Sequence, residues 1–268
     1  MSAGAGKWGD LRPRILSAVV MVVVAGVDIW LGGYWFLALL ALVAAAMVWE
    51  VARLGGAASG PLRDVLLPVS GALATLAAAW LGSPLGFVVI ACVAAGVWVL
   101  SEQLRHRLAL YAFFCMVAAL ALYAIRDVFG LAVLLWLIGV VIVSDVMGYF
   151  AGRVLGGPKF WPKVSPKKTW SGTVAGWIGA ALLGWYMSDM TLAASKLDWP
   201  IPLAVISVVL AFAAQMGDIV ESAFKRKAGI KDSSNLIPGH GGVLDRFDGM
   251  IGAALVFFPV LFLAGLAA

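Results

Sequence analysis

Charged side chains are scarce in this sequence. Asp, Glu, Lys and Arg together make up 12% of the 268 residues, whereas 63% are hydrophobic. A soluble domain of this length would carry about 25% charged residues. The scarcity of charge excludes an ordinary soluble domain, and the apolar residues occur in long runs. The composition therefore predicts an integral membrane protein whose surroundings are the lipid bilayer.

Cysteine and histidine are also rare, with two residues of each. Cys92 and Cys115 lie inside apolar runs, where a thiol behaves as a small hydrophobic group. The sequence therefore argues against a disulfide framework and against a Cys/His metal centre. The net charge of +5 comes from loops rich in Lys and Arg. Such a distribution indicates membrane orientation, and we expect no nucleic-acid partner.

Nine apolar runs are separated by turns rich in Gly and Pro, such as Gly60-Pro61, Gly156-Gly157-Pro158 and Trp199-Pro200. Each run approaches or exceeds the ~20 residues that cross a bilayer as a helix. The sequence predicts an all-α integral membrane protein with about nine transmembrane helices. We divide it into a five-span scaffold region (1–128) and a four-span catalytic region (129–268) of one integrated membrane domain, with no soluble domain. The runs are 15–31, 34–52, 65–82, 85–101, 108–125, 129–155, 171–187, 200–228 and 250–267.

The distribution of Lys and Arg predicts the orientation. If alternate loops face opposite sides, the side of the N-terminus receives 17 of the 19 Lys and Arg residues, and the other side receives only Arg126 and Lys196. Positive loops stay in the cytoplasm. We therefore expect a cytoplasmic N-terminus and a C-terminus outside. Asp28 and Glu50 lie near span ends, and we interpret both as side chains that extend to the membrane interface.

A polar helical face occurs near the end of the sixth run. Asp145, Tyr149 and Gly152 are spaced i, i+4 and i+7, which places them on one side of a helix. An ionisable group at this depth is costly unless it is paired or hydrated, so it indicates a functional site. The alternative is a structural ion pair with a Lys or Arg of a neighbouring span.

The loop after this helix contains Lys159, Lys163, Lys167 and Lys168 and no acidic residue. Membrane orientation alone would explain this charge. However, the loop also supplies hydroxyl groups directly before a predicted helix, which Thr169 or Ser171 would cap. Helix N-termini attract anions, so the loop is a candidate phosphate site.

The eighth run is longer than the bilayer is thick, so its last turns should project into the cytoplasm. Asp218, Ser222 and Lys225 repeat the i, i+4, i+7 spacing there. The glycines that follow let backbone N–H groups approach a phosphate. His240 lies between Gly239 and Gly241. It is either part of the same site or only a hydrogen-bond partner of a backbone carbonyl.

Three carboxylates near this cytoplasmic end predict a metal site. Asp245 and Asp248 are three positions apart and face one point if the ninth helix starts there. Asp218 lies at the same level of its own helix. Carboxylate oxygens without Cys or His ligands suit a hard cation such as Mg²⁺.

The segment 222–248, which we call the signature segment, resembles the signature of phosphatidate cytidylyltransferases (CDP-diacylglycerol synthases). The resemblance also includes Ser144-Asp145, Gly152-Arg153, Ser165-Pro166-x-Lys168-Thr169-Trp170 and Gly217-Asp218, so it covers about residues 144–250. The matching positions of the signature segment are Ser222, Phe224, Lys225-Arg226, Lys231-Asp232, Ser234, Pro238, His240-Gly241-Gly242 and Asp245-Arg246-Phe247-Asp248.

The resemblance implies a nucleotidyltransferase that transfers CMP from CTP to phosphatidate, giving CDP-diacylglycerol and pyrophosphate in phospholipid biosynthesis. The lipid phosphate would attack the α-phosphate of CTP directly, at the cytoplasmic interface of the bacterial cytoplasmic membrane. It implies dependence on Mg²⁺, with a second cation left open, and a homodimer. The alternatives are a related lipid-alcohol kinase or phosphotransferase, and a transporter of an anionic substrate.

The residues and the resemblance together give the candidate site. The metal ligands are Asp218, Asp245 and Asp248. The substrate-binding residues are Tyr149, Arg153, Ser165, Lys167, Thr169, Gly241 and Gly242. The residues expected to carry the reaction are Asp145, Lys168, Ser222, Lys225, Arg226, Lys231, His240 and Arg246.

Overall fold

A computed structural model of the chain describes residues 11–82, 84–195 and 201–267. Within these ranges the backbone is almost entirely helical, with one two-stranded hairpin and a short π-helical segment, Leu62–Leu66, directly before α3. The strands are β1 (Lys159–Trp161) and β2 (Ser165–Thr169). The helices are α1 (Leu11–Leu31), α2 (Gly33–Leu54), α3 (Leu67–Leu81), α4 (Leu85–Leu100), α5 (Arg105–Val128), α6 (Leu131–Leu155), α7 (Trp170–Tyr186), α8 (Ser188–Ser195), α9 (Leu203–Lys227) and α10 (Leu244–Ala267).

Each predicted apolar run corresponds to one long helix, and the predicted Gly and Pro turns separate them. Gly32 precedes α2 and Gly156 follows α6, with φ angles of 66° and 60° that suit glycine. The short helix α8 was not predicted, because its polar sequence carries no apolar run. The predicted turn at Trp199-Pro200 lies outside the described residues.

Six helical segments among the described residues are long and apolar enough to cross a membrane. Helix α4 is equally apolar but has only 16 residues. The chain is therefore an all-α, multi-pass membrane protein, whereas the count of nine spans and the orientation of the termini stay predictions. The six segments are Pro13–Leu31, Gly33–Leu54, Leu62–Leu81, Arg105–Val128, Leu131–Leu155 and Leu203–Lys227.

The first of two compact units comprises Met1–Met116 and Ile230–Arg246. Its helices pack through small residues: a methyl group at Gly71 of α3 would lie 3.3 Å from Val48 of α2. The unit includes most of the signature segment, because the buried Glu50 of α2 accepts hydrogen bonds from this loop. The division into regions 1–128 and 129–268 stays a prediction.

The second unit comprises Val117–Gly229 and Phe247–Ala268. Helix α7 packs against both α6 and α9. Trp136 of α6 is fully buried, and its indole N–H donates to Ser207 Oγ of α9 at 2.9 Å. Its ring meets the ring of Phe257 edge to face at 5.4 Å. This satisfied polar contact fixes how α6 and α9 sit against each other.

The hairpin lies directly before α7, where the sequence indicated only a loop. Lys159 of β1 is opposite Thr169 of β2, and the ring centroids of Phe160 and Trp170 are 4.6 Å apart. Strands this short have little intrinsic preference, so pairing and packing decide their conformation. The hairpin places Lys159, Lys167 and Lys168 on the same cavity wall as residues of α6.

Candidate functional site

A cavity of about 580 Å³ lies in the second unit, where α6, β2, α7 and α9 meet. Its wall contains eight of the predicted site residues, which are Asp145, Tyr149, Arg153, Ser165, Lys167, Lys168, Thr169 and Asp218. The other lining residues are Ser144, Gly148, Gly152, Lys159, Gly172, Thr173 and Gln215. Asp145, Tyr149 and Gly152 share one face of α6, as the spacing predicted.

Glycines bring α6 and α7 into close contact beside the cavity. A methyl group at Gly152 would lie 2.8 Å from Thr169 Oγ1, and one at Gly148 would lie 3.3 Å from the Gly172 carbonyl oxygen. A methyl group at Gly172 would collide with the Gly148 carbonyl oxygen. Small residues at these positions let the two backbones touch. This contact places the polar face of α6 next to β2.

Lys168 connects β2 to α9. Its Nζ lies 2.6 Å from Asp218 Oδ2 and donates to the Gln215 carbonyl at 3.3 Å. Ser222 Oγ donates to the other oxygen, Asp218 Oδ1, at 3.2 Å. Asp145 is close enough to interact electrostatically with both Lys168 and Asp218. One ammonium group therefore lies among two carboxylates, in a cavity that is partly open.

Thr169 caps α7, which confirms one of the two predicted caps. Its side-chain oxygen accepts from the Gly172 N–H at 3.2 Å, while Ser171 Oγ donates to the Gly156 carbonyl oxygen. This capping fixes the end of the strand that carries Lys168. The predicted contact between Thr169 and a substrate stays a prediction.

Arg153 and Tyr149 form a pair on the cavity wall. Arg153 Nη1 donates to Tyr149 Oη at 2.8 Å, and both side chains are exposed. They lie four positions apart on α6, so the pair requires no contact from another element. The exposed guanidinium group retains further donors for an anion.

The lining residues that were not among the predicted site residues include Lys159, Thr173 and Gln215. Gln215 is buried, donates through Nε2 to the Thr173 carbonyl at 3.3 Å and accepts from Trp177 Nε1 at 3.0 Å. Its position three residues before Asp218 was the available signal, because that spacing puts both on one face of α9. Lys159 lies outside the family-like motif, and only the hairpin brings it to the wall.

The last turns of α9 carry the predicted residues Lys225 and Arg226. Lys225 is 8% exposed, and its Nζ lies 2.9 Å from Glu221 Oε2. Glu221 also lies close enough to Asp248 of α10 to interact with it. Arg226 is exposed at the end of the helix. The charge of Lys225 is thus partly compensated within the protein, and its role toward a substrate stays a prediction.

Asp248 approaches α9 because glycines on α9 and α10 let the two helices come into close contact. A methyl group at Gly217 would collide with the Asp248 carbonyl oxygen, and one at Gly252 with the Ala213 carbonyl oxygen. Asp248 therefore lies within electrostatic range of Asp218. These two predicted metal ligands share one unit.

Asp245 lies in the first unit, where its carboxylate organises the signature segment. Oδ2 accepts from the backbone N–H and the hydroxyl of Ser233, both at 2.9 Å, and from the Gly242 N–H at 2.8 Å. The Gly242 N–H, predicted to contact a phosphate, therefore donates within the loop. Gly241 has a φ angle of 86°, which suits a glycine turn.

The side chain of Arg246 contacts the backbone of His240. Arg246 donates from Nε and Nη2 to the His240 carbonyl at 3.0 and 2.6 Å. Ser17 Oγ of α1 lies 2.9 Å from His240 Nδ1 and also donates to the Pro238 carbonyl at 2.9 Å. The imidazole therefore has a hydroxyl partner, which the sequence did not indicate. Lys231 is exposed in the same loop.

The interpretation of Glu50 as an interfacial side chain is wrong. Glu50 is 0% exposed, and its carboxylate accepts hydrogen bonds from Ser234, Val243 and Leu244 of the signature segment. A lone acidic residue in an apolar run carries no signal for such a contact, because its partners lie almost two hundred positions later in the chain.

No group of three or more His, Cys, Asp or Glu side chains in ranges 11–82, 84–195 and 201–267 is placed to hold a metal ion. The predicted site shared by Asp218, Asp245 and Asp248 stays a prediction. Magnesium is usually held by one or two carboxylates together with substrate phosphates. Asp145 and Asp218, both on the cavity wall, supply oxygen donors of the kind that Mg²⁺ prefers.

Residues 12–264 match the cytidylyltransferase family. This match confirms the predicted class of enzyme, a nucleotidyltransferase. Phosphatidate cytidylyltransferase of Brucella abortus is 35% identical over 265 residues, covering 93% of this chain and 92% of the relative. The enzyme of the same name from Helicobacter pylori strain J99 is 33% identical over 255 residues, covering 94% and 92%. The chain therefore belongs to the phosphatidate cytidylyltransferase family, as the signature segment indicated.

Proposed function

We propose that this protein transfers CMP from CTP to phosphatidate, producing CDP-diacylglycerol and pyrophosphate for phospholipid synthesis in a bacterial cytoplasmic membrane. The observation that carries the proposal is the cavity whose wall holds the Lys168–Asp218 ion pair together with Asp145. The names of the relatives supply the substrates, because no contact in the cavity identifies cytosine.

The reaction requires no protein nucleophile. An oxygen of the phosphatidate phosphate attacks the α-phosphorus of CTP, and the bond from that phosphorus to the bridging oxygen of pyrophosphate breaks. A phosphate monoester loses its second proton near pH ~6, so the attacking oxygen is largely deprotonated at neutral pH. The difficulty is electrostatic, since two polyanions must approach each other.

The cations on the cavity wall address this repulsion. Arg153, Lys159, Lys167 and Lys168 all line the cavity and can neutralise substrate phosphates. When phosphate displaces Asp218 from Lys168, the freed carboxylate becomes available to a cation. Asp145 and Asp218 would hold Mg²⁺ together with the phosphates, and bound Mg²⁺ would offset charge on the departing pyrophosphate.

The surroundings of the cavity suit a lipid substrate. Tyr149 lines the cavity, and the adjacent ring of Phe150 lies 5.4 Å from it and is 60% exposed. Apolar surface beside a phosphate-binding wall is what a phospholipid needs, because its acyl chains stay in the bilayer. We further expect the homodimer that the resemblance implies.

A transfer assay with purified protein tests the proposal. CTP labelled at the α-phosphate is supplied with phosphatidate and Mg²⁺ in mixed micelles, and we expect label in the lipid phase together with released pyrophosphate. Diacylglycerol in place of phosphatidate should give no labelled lipid. Label entering the lipid from γ-labelled CTP, with diacylglycerol as acceptor, would instead indicate a lipid kinase. Uptake of anions into liposomes without any product would indicate a transporter.

A further inference from the structure

Glu50 is a buried carboxylate that the proposed reaction does not use. It lies on α2, whose other buried residues are almost all apolar, and its side chain is 0% exposed. Oε1 accepts from Ser234 Oγ at 2.5 Å and from the Val243 N–H at 3.0 Å, and Oε2 accepts from the Leu244 N–H at 2.6 Å. All three partners belong to the signature segment.

These bonds complete a pattern along the backbone. The N–H groups of Gly242, Val243 and Leu244 are consecutive, and each donates to a carboxylate. Asp245 accepts the first, and Glu50 accepts the other two. Gly242 and Val243 directly precede α10, and Leu244 is its first residue. At the start of a helix, N–H groups lack intrahelical partners and negative charge is favourable. Glu50 is the part of this cap that comes from another helix.

Gly242 fits this arrangement for steric reasons. A methyl group at Gly242 would collide with Ser233 Oγ and with Glu50 Oε1. The carboxylate therefore fills the space that a side chain at 242 would occupy. Its position and the conformation of the His240-Gly241-Gly242 turn depend on each other.

A buried carboxylate is a costly way to join a loop to a helix. Removing a carboxylate from water is unfavourable unless hydrogen bonds satisfy it, and apolar packing often gives equal or greater stability. Unlike apolar packing, the carboxylate forms directional hydrogen bonds, so its two oxygens determine where the three donors lie. Fixed direction matters most where a segment carries reacting groups.

We propose that Glu50 is a positioning residue, whose hydrogen bonds to Ser234, Val243 and Leu244 set the orientation of the His240-Gly241-Gly242 turn. The orientation of this turn then sets the positions of His240, Asp245 and Arg246. This inference rests on the proposed function, because His240 and Arg246 are expected to carry that reaction and Asp245 to bind its metal ion. Glu50 itself touches no substrate. It acts through the backbone of the loop.

Hydrogen–deuterium exchange tests the contact without any activity measurement. Glu50→Gln keeps the shape of the side chain but removes its charge, and the exposed Glu102→Gln is the matched control in the same unit. Loss of a charge-assisted hydrogen bond should accelerate exchange of the Gly242–Leu244 amides by about tenfold or more. Exchange in α3 and α4 should not change. Unchanged exchange of the three amides would overturn the proposal.

Kinetics then separate positioning from stability. Glu50→Gln should lower kcat by about tenfold to a hundredfold per mole of folded protein, with a smaller change in KM for CTP. Ser234→Ala removes only one bond and should lower kcat in the same direction, which keeps the test usable if Glu50 variants fold poorly. The double variant should be less than additive if both act through one contact. Normal kcat in the folded fraction of both single variants would show a stabilising role only and contradict the proposal.

The two proposals fail in different ways. If wild-type protein transfers no CMP while Glu50→Gln accelerates exchange of the loop amides, the proposed function is wrong and the contact is real. If wild-type protein is active and Glu50→Gln changes neither exchange nor kcat, the positioning role is wrong and the function stands.

Discussion

Asp245 and Asp248 are three positions apart, yet their carboxylates have different surroundings. Asp245 Oδ2 accepts three hydrogen bonds from Ser233 and Gly242, whereas Asp248 interacts with Glu221 and Asp218. A carboxylate that is already used by backbone N–H groups has less freedom to bind a cation. The predicted three-carboxylate metal site can therefore be tested one residue at a time.

Metal titration of the Asp→Asn variants distinguishes the two roles. Asp218→Asn should raise the Mg²⁺ concentration for half-maximal activity, because it removes a cavity carboxylate, and Asp248→Asn should do so if Asp248 is a ligand. If Asp245 mainly orders the loop, Asp245→Asn should lower turnover without changing that concentration. Removal of Mg²⁺ by a chelator should abolish turnover of wild-type protein. Half-maximal concentrations that do not move in any of the three variants would contradict a metal site at these residues.

Sequence reasoning at the residue scale succeeded where spacing was informative. The i, i+4, i+7 face of Asp145 was visible in the sequence, and the structure places it on the cavity wall. Glu50 and Ser17 were missed as partners of the signature segment because each has mainly apolar neighbours in the sequence. Their contacts depend on tertiary packing, which local patterns do not encode.

At the scale of elements, the contact between α6 and α7 depends on glycine. Gly172→Ala would place a methyl group against the Gly148 carbonyl oxygen. Such overpacking should destabilise the protein by about 1–3 kcal/mol, and it should also displace β2 and reduce transfer activity. Thermal unfolding in detergent measures the first effect.

Gly26→Ala in α1 is the matched control, because nothing lies within 4 Å of a methyl group there. Alanine in a helix is favoured over glycine by about 0.5–1 kcal/mol, so this variant should be neutral or slightly stabilised. Equal stability of the Gly172→Ala and Gly26→Ala variants would contradict close packing of α6 on α7.

The long helices could be predicted from apolar runs and turn residues, whereas the β1–β2 hairpin could not. Its strands have three and five residues, and the sequence signal there was charge, which also suits a loop. Pairing of Lys159 with Thr169 and the contact between Phe160 and Trp170 define the hairpin. The capping role of Thr169 was predictable because it depends only on neighbouring residues.

For the whole molecule, the orientation in the membrane stays a prediction from charge. The 17-to-2 division of Lys and Arg predicts that the hairpin region faces the cytoplasm and the C-terminus faces outside. Reporter fusions within 159–168 and after residue 268 should therefore report opposite sides. Cytoplasmic signals from both fusions would show that an even number of spans follows the hairpin, so the predicted span count would be wrong.

In the proposed function, the cavity between α6, β2, α7 and α9 carries the transfer reaction. Lys168 tests this claim best, because its Nζ contacts Asp218 inside the cavity. Lys163 is the control, since it lies in the turn of the same hairpin, is exposed and does not line the cavity.

The decisive measurement is transfer of α-labelled CMP to phosphatidate by purified Lys168→Ala and Lys163→Ala proteins of equal folded content. We expect Lys168→Ala to lower kcat by about a hundredfold or more, as the loss of one preorganised donor to a reacting phosphate typically does. Lys163→Ala should stay within about twofold of wild type, as expected of an exposed side chain. Lys159→Ala should fall between them, because Lys159 lines the cavity without contacting Asp218. Equal and small effects of Lys168→Ala and Lys163→Ala would contradict the claim and leave these lysines only a role in membrane orientation.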